Sequence, residues 1–124
     1  MERCLGFLEL DRDQDHLVTE QYSAGLGPVL RSEKCEFVKA RFLEGTGAEL
    51  HTHPEEQTVY CVEGRLRATL GEGDDAEEFI IEPGEAAFNP SNIPHGVIAM
   101  EDSVVLSFKI RTENQIYDAT GSME

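Results

Sequence analysis

Along this chain apolar and polar residues alternate in short runs, and no stretch sustains the wider spacing of an amphipathic helix. A period of two places successive side chains on opposite faces of an extended strand, whereas a period of 3.6 lines up one face of a helix. The pattern predicts an all-β protein. Strands are expected over Cys35 to Leu43, Glu49 to His53, Gln57 to Val62, Leu66 to Leu70, Glu78 to Ile81, Ala86 to Asn89, Gly96 to Met100 and Val104 to Arg111. Between them, Glu44 to Gly47, Glu63-Gly64, Gly71 to Asp75, Glu82 to Glu85, Pro90 to Pro94 and Glu101 to Ser103 carry residues suited to turns.

About eight strands in a chain of 124 residues suggest one sandwich or barrel around a single core. Residues 1–34 are expected to form an N-terminal arm of the same domain, with a strand at His16 to Thr19. Residues 35–111 would form the barrel and residues 112–124 a C-terminal tail. Edge strands in so small a sheet protein need cover, and a two-fold homodimer is a common solution. On the last strand Val104, Leu106, Phe108 and Ile110 share one apolar face, and Val105, Ser107, Lys109 and Arg111 share the other.

Composition narrows the partners. A formal charge of −15 would repel nucleic acid and anionic membrane surfaces, and the acidic residues fall in surface-like segments where they solubilise. There is no apolar run near membrane-spanning length, and MERCLGFLELDRD lacks the long apolar centre of a signal peptide, so a cytoplasmic location is expected. Cys4, Cys35 and Cys61 are an odd number at irregular spacing, which suits reduced thiols; Cys61, in an apolar strand, reads as a small core residue.

The candidate chemistry lies in HTHPEEQTVYCVEG, residues 51–64. His51 and His53 are two apart and could share a strand face at about 6 to 7 Å, and Gln57 keeps their parity. His95 follows in GEAAFNPSNIPHGV, so three of the four histidines fall in these two segments. Imidazole suits several divalent transition metals, and zinc, nickel, iron and manganese all remain open. Neutral ligands leave such an ion its full charge, which favours Lewis-acid chemistry and attracts anionic molecules.

The spacing Gly45, His51-Thr-His53, Gln57, Gly64 resembles the first motif of the cupins, with Gln57 where glutamate is usual. Gly84, Pro90 and His95 resemble the second motif, with Asn92 in place of its usual glycine and Ala99 in place of its asparagine. The resemblance implies a small antiparallel β-barrel, or jelly roll, with a metal inside its mouth. HTHPEEQTVYCVEGRL, EPGEAAFNPSNIPHGV and AMEDSVVL are similar to the KdgF-like cupins, which linearise 4,5-unsaturated uronates. That likeness implies metal ligation by His51, His53, Gln57 and His95.

The chain departs from this pattern near its end. Ser107 and Lys109 stand where the KdgF-like cupins carry a catalytic aspartate and an aromatic, and RTENQIYD replaces their proline-arginine-acidic ending. The candidate proton-moving groups are therefore Ser107, Lys109 and Glu55, the last following the His53-Pro54 step. Lys109 and Arg41 are candidates for binding a substrate carboxylate. Two orientations of Lys109 stay open: toward the mouth with Ser107, or toward solvent with Arg111 on an edge strand. The expected function is a metal-dependent isomerase or tautomerase acting on a small carboxylated, sugar-like substrate. A non-catalytic module for a small ligand and a three-histidine oxygenase are the alternatives.

Overall fold

A computed structural model describes residues 22–110. The strands are β1 (Val29–Arg31), β2 (Cys35–Phe42), β3 (Gly47–His51), β4 (Gln57–Glu63), β5 (Leu66–Leu70), β6 (Glu77–Ile81), β7 (Ala86–Asn89), β8 (His95–Ala99) and β9 (Ser103–Ile110). Each of the eight expected strands is present with ends moved by at most two residues, and β1 is added from within the expected arm. The expected strand at His16 to Thr19 lies outside the described residues, as does Arg111. The described helical structure is one short 3₁₀ turn, Gly73–Asp75, and among the described residues no helix is long and apolar enough to cross a membrane.

All pairings are antiparallel. One sheet has the order β1-β2-β9-β4-β7 and the other β3-β8-β5-β6. The two inner faces enclose a core of Val38, Ala40, Phe42, Cys61, Leu66, Ala68, Ile81, Ala99 and Val105. This is the jelly-roll arrangement of two packed sheets. Cys61 is fully buried, and burial pushes its thiol up from the ordinary value, as expected of an inert core cysteine.

The orientation of β9 departs from simple hydrophobic patterning. The strand lies between β2 and β4, which removes the solvent-facing, edge-strand orientation of the two left open for Lys109. Ser103, Val105, Ser107 and Lys109 face inward, and Lys109 is only 8% exposed. The uniformly apolar face points outward instead, leaving Phe108 and Ile110 exposed beside Tyr60 and Phe88 of neighbouring strands.

Register then orders the interior by polarity. Glu36 pairs with Lys109, Lys109 with Gln57, and Gln57 with Asn89, forming a wholly polar row at one end of the first sheet. Two residues deeper the row is Val38, Ser107, Val59 and Ala87. Deeper again it is Ala40, Val105 and Cys61. The facing sheet matches, with His51, His95 and Leu70 at the polar end and Ala48, Val97 and Ala68 below them.

Two turns fix this register. Gly64 has φ +90°, and a Cβ there would lie 2.2 Å from Ser103 Oγ and 2.5 Å from Asp102 O, so the β4–β5 turn closes against the β8–β9 turn only with glycine. Asn92 has φ +60°, a left-handed conformation that asparagine tolerates, which explains why it can replace the usual glycine of the second motif. Gly64→Ala should destabilise the protein by at least ~2 kcal/mol in urea denaturation. Gly73→Ala, with positive φ but nothing within 4 Å of the added carbon, should cost about 1 kcal/mol; equal costs would contradict the clash.

Candidate metal centre

The three histidines of the two segments converge. One nitrogen from each of His51, His53 and His95 lies within 4.8 Å of the others, a spacing that could hold a metal ion. Ring centroids are separated by 4.4 Å for His51 and His95, 4.6 Å for His53 and His95, and 5.5 Å for His51 and His53. The strands bring them together in a way that parity alone does not describe. β3 ends at His51, and a bulge between Ala48 and His51 turns that histidine inward opposite His95. His53 lies beyond the strand, on the Pro54 turn, where its carbonyl accepts from Asn92 N at 2.9 Å. Gln57 belongs to β4, in the opposite sheet from His51, so their common parity has no structural meaning.

Each imidazole is oriented by its own backbone. Nδ1 of His51 meets Glu49 O at 2.5 Å, Nδ1 of His53 meets Glu55 O at 2.9 Å, and Nδ1 of His95 meets Ile93 O at 2.9 Å. A carbonyl only accepts, so these bonds place the N–H of each neutral ring on Nδ1 and leave a lone pair on Nε2. Yet Nε2 of His53 and Nε2 of His95 stand 3.1 Å apart. Two lone pairs so close repel unless a cation lies between them. With metal–nitrogen bonds of about 2.1 Å, adjacent ligand nitrogens sit about 3.0 to 3.4 Å apart, so the residues fit a divalent ion.

Electrostatics keep the rings neutral. Burial pushes His51 from 6.5 down to about 4, assisted by the charges of His95 and Lys109 and opposed by the bond to Glu49. Burial, then the charges of Lys109, His95 and His51, push His53 from 6.5 down to about 3. His95 is lowered for the same leading reason, with Lys109 again contributing. Neutral imidazole is the form that ligates.

A cavity of about 100 Å³ opens between the sheets beside the histidines. Gln57, Ser107 and Lys109 line it. Gln57 Nε2 donates to Ser107 Oγ at 2.7 Å, and Asn89 Nδ2 donates to Gln57 Oε1 at 3.3 Å, so the amide is held between two neighbours. Lys109 Nζ donates to the Tyr22 hydroxyl at 3.2 Å and lies 3.6 Å from Glu36 Oε2. Glu36 Oε1 accepts from Arg31 Nε at 3.0 Å and from Arg31 Nη2. The Tyr22 ring stacks on His51 with centroids 3.7 Å apart.

Two sequence candidates are placed elsewhere. Arg41 lies on the outer face of β2, opposite in parity to Glu36 and Ala40, and does not line the cavity. Glu55 does not open to the mouth: it is 1% exposed, with Oε1 3.7 Å from His53 Nδ1, on the side of that ring away from Nε2. Conversely, sequence reasoning missed Tyr22, Glu36 and Asn89. Glu36 and Asn89 could have been found by extending strand parity from Val38 and Ala87; nothing in the arm singled out Tyr22.

The lowered histidines have a pH consequence. Between pH 6.5 and about 4 the unfolded chain takes up protons that the folded imidazoles refuse, so metal-free protein should lose stability as pH falls through this window. Urea midpoints near pH 7 and near pH 5 should therefore differ less in His53→Gln than in the original chain. Carboxylate titration is common to both proteins, so equal differences would count against the assignment.

The fold and site have known counterparts. Residues 38–108 match the family model described as "Cupin domain". The solved structure of TT1209 from Thermus thermophilus is 26% identical, with TM-score 0.66 over 88% of this chain and 97% of that one. KdgF from Halomonas sp. is 26% identical, with TM-score 0.62 over 73% of this chain and 82% of that one. A Bacillus subtilis oxalate decarboxylase structure, 19% identical with TM-score 0.70, matches 97% of this chain but 31% of that one, and shows the fold alone. No curated protein matches the sequence significantly. With most of the barrel matched and the two-sheet topology in place, the chain belongs to the cupin family.

Proposed function

We propose that the protein is a metal-dependent cupin enzyme of isomerase or tautomerase type acting on a small carboxylated molecule. The observation that carries the reading is the 3.1 Å approach of two Nε2 atoms whose rings already spend their N–H on backbone carbonyls. His51, His53 and His95 would hold the ion, with Gln57 the fourth candidate once its Oε1 shares its second lone pair. The likeness to KdgF supports the most specific version, ring opening of a 4,5-unsaturated uronate.

A bound divalent ion supplies Lewis acidity, polarising a carbonyl or hydroxyl and attracting an anion. The chain's own residues do the rest. Lys109, held by Tyr22 and Glu36, pairs with the substrate carboxylate. Ser107 Oγ accepts from Gln57, which leaves its own O–H to donate to a substrate oxygen and to stand at the place of the absent aspartate. The stacked Tyr22 ring and the buried histidines exclude water from one side of the mouth. Metal-loaded protein should convert unsaturated uronates to their open-chain form, with His51→Ala losing both bound metal and turnover. Absence of turnover in protein carrying stoichiometric metal would remove the uronate version.

One observation favours a second reading, a binding module without catalysis. The mouth-facing carboxylate, Glu36, is already engaged by Arg31 and Lys109, so among the described residues no carboxylate lining the cavity stands ready as a base. Tight ligand binding without conversion would decide for it. Under either reading the chain is taken as a homodimer, supported by the exposed apolar outer face of β9 and β4. Light scattering should give twice the chain mass; a monomer at micromolar concentration would oppose this.

A further inference from the structure

The interior polarity says more about the ligand than the metal site does. The cavity begins at the row Glu36, Lys109, Gln57 and Asn89, and one row deeper Ser107 is the only polar side chain that the five-stranded sheet contributes. Beside and beyond it the walls are Val38, Ala40, Phe42, Ile81 and Val105, and Ser23 adds one further hydroxyl. The space exists because Ala40, Ala68 and Ala87 line it with single methyl groups where valine or leucine would fill a strand-packed core. An apolar pocket of this kind gives water few partners and favours hydrocarbon. A ring hydroxyl pushed past Ser107 would give up its hydrogen bonds to water and find few in exchange.

The other end is built for a negative group. Arg31, Glu36 and Lys109 together carry one net positive charge inside a chain of net charge −15. Lys109 Nζ has three donors, of which Tyr22 takes one and Glu36 faces a second. The third has no partner among the described residues.

We propose that this cavity takes a small monocarboxylate whose other end is unsubstituted hydrocarbon, its carboxylate at Lys109 and its tail among Ala40, Ala68 and Ala87. This rests on reading the cavity as the ligand site, and it narrows the substrate class away from a polyhydroxylated sugar acid. Burying one methylene improves binding about fourfold.

Calorimetric titration of the full, metal-loaded chain with acetate, propionate, butyrate and glucuronate tests the idea. Affinity should rise about fourfold per methylene from acetate to butyrate, with glucuronate weaker than butyrate. Ala68→Leu should abolish the rise while leaving acetate binding within about twofold, because the leucine fills the space the tail would take. Ala87→Leu serves the same purpose if the first variant does not fold. Lys109→Met should weaken every acid at least tenfold.

Equal affinity for acetate and butyrate, tighter binding of glucuronate, or an undiminished slope in a folded leucine variant would overturn the proposal. The two readings fail separately. Uronate turnover that butyrate does not inhibit would sustain the isomerase and remove the apolar-tailed ligand; the predicted slope in a protein without turnover would do the reverse.

Discussion

The site depends on three hydrogen bonds from imidazole Nδ1 to main-chain carbonyls, at Glu49, Glu55 and Ile93. Each bond is local, two residues along the chain, and so is set by the backbone rather than by distant packing. Once the three N–H groups are committed, Nε2 of each ring can only accept, and the fold presses two of these acceptors to 3.1 Å. Protonating one ring would relieve the contact, but burial disfavours the charged imidazole. A divalent ion resolves the repulsion and the desolvation together. The metal-binding reading follows from this constraint before any likeness to other cupins is considered.

Sheet register determines what surrounds that point. Because β9 is shared by β2 and β4, a single inward residue on it meets partners from both sides, and Lys109 faces Glu36 and Gln57 at once. The same register steps the interior from polar to apolar within two residues along β2, β4 and β7 and within four along β9. Glu36 is what allows a lysine there. At 5% exposure its carboxylate lowers the cost of burying the ammonium, while Arg31 stabilises the carboxylate in turn. The mouth therefore keeps a net positive charge without an isolated buried ion, and long-range repulsion from the acidic surface is offset where an anion would bind.

Strand positions were legible because period-two runs end at glycine, proline and asparagine, and those residues do close the turns. Gly64 and Asn92 show why: both positions require positive φ, and only residues that accept it can stand there. Side-chain direction was less legible. On β9 the apolar face points outward, so hydrophobicity gives the wrong sign and only the pairing with β2 and β4 fixes the orientation. The histidines were found by type and spacing, yet their convergence comes from a bulge in β3 and a turn at Pro54, neither of which periodicity encodes. Tyr22 is reached only through tertiary contact: Glu49 N donates to its carbonyl at 2.7 Å, which carries its ring over His51.

The serine at position 107 has physical consequences for the site. Ser107 sits one row below Lys109, between Val38 and Val59, where a carboxylate would be buried beside apolar walls and would draw on the lysine for its stabilisation. In this chain the carboxylate that pairs with the lysine is Glu36, on the adjacent strand in the mouth row. A serine hydroxyl at 107 can donate a hydrogen bond but is a poor proton acceptor near neutrality, so it cannot reproduce an aspartate base unaided. Glu36 could act as one only by surrendering contacts to Arg31 and Lys109, and that exchange would have to be driven by the substrate. The remaining donor of Lys109 lets an incoming carboxylate bind without that exchange, so Glu36 keeps its pairing to Arg31 and Lys109.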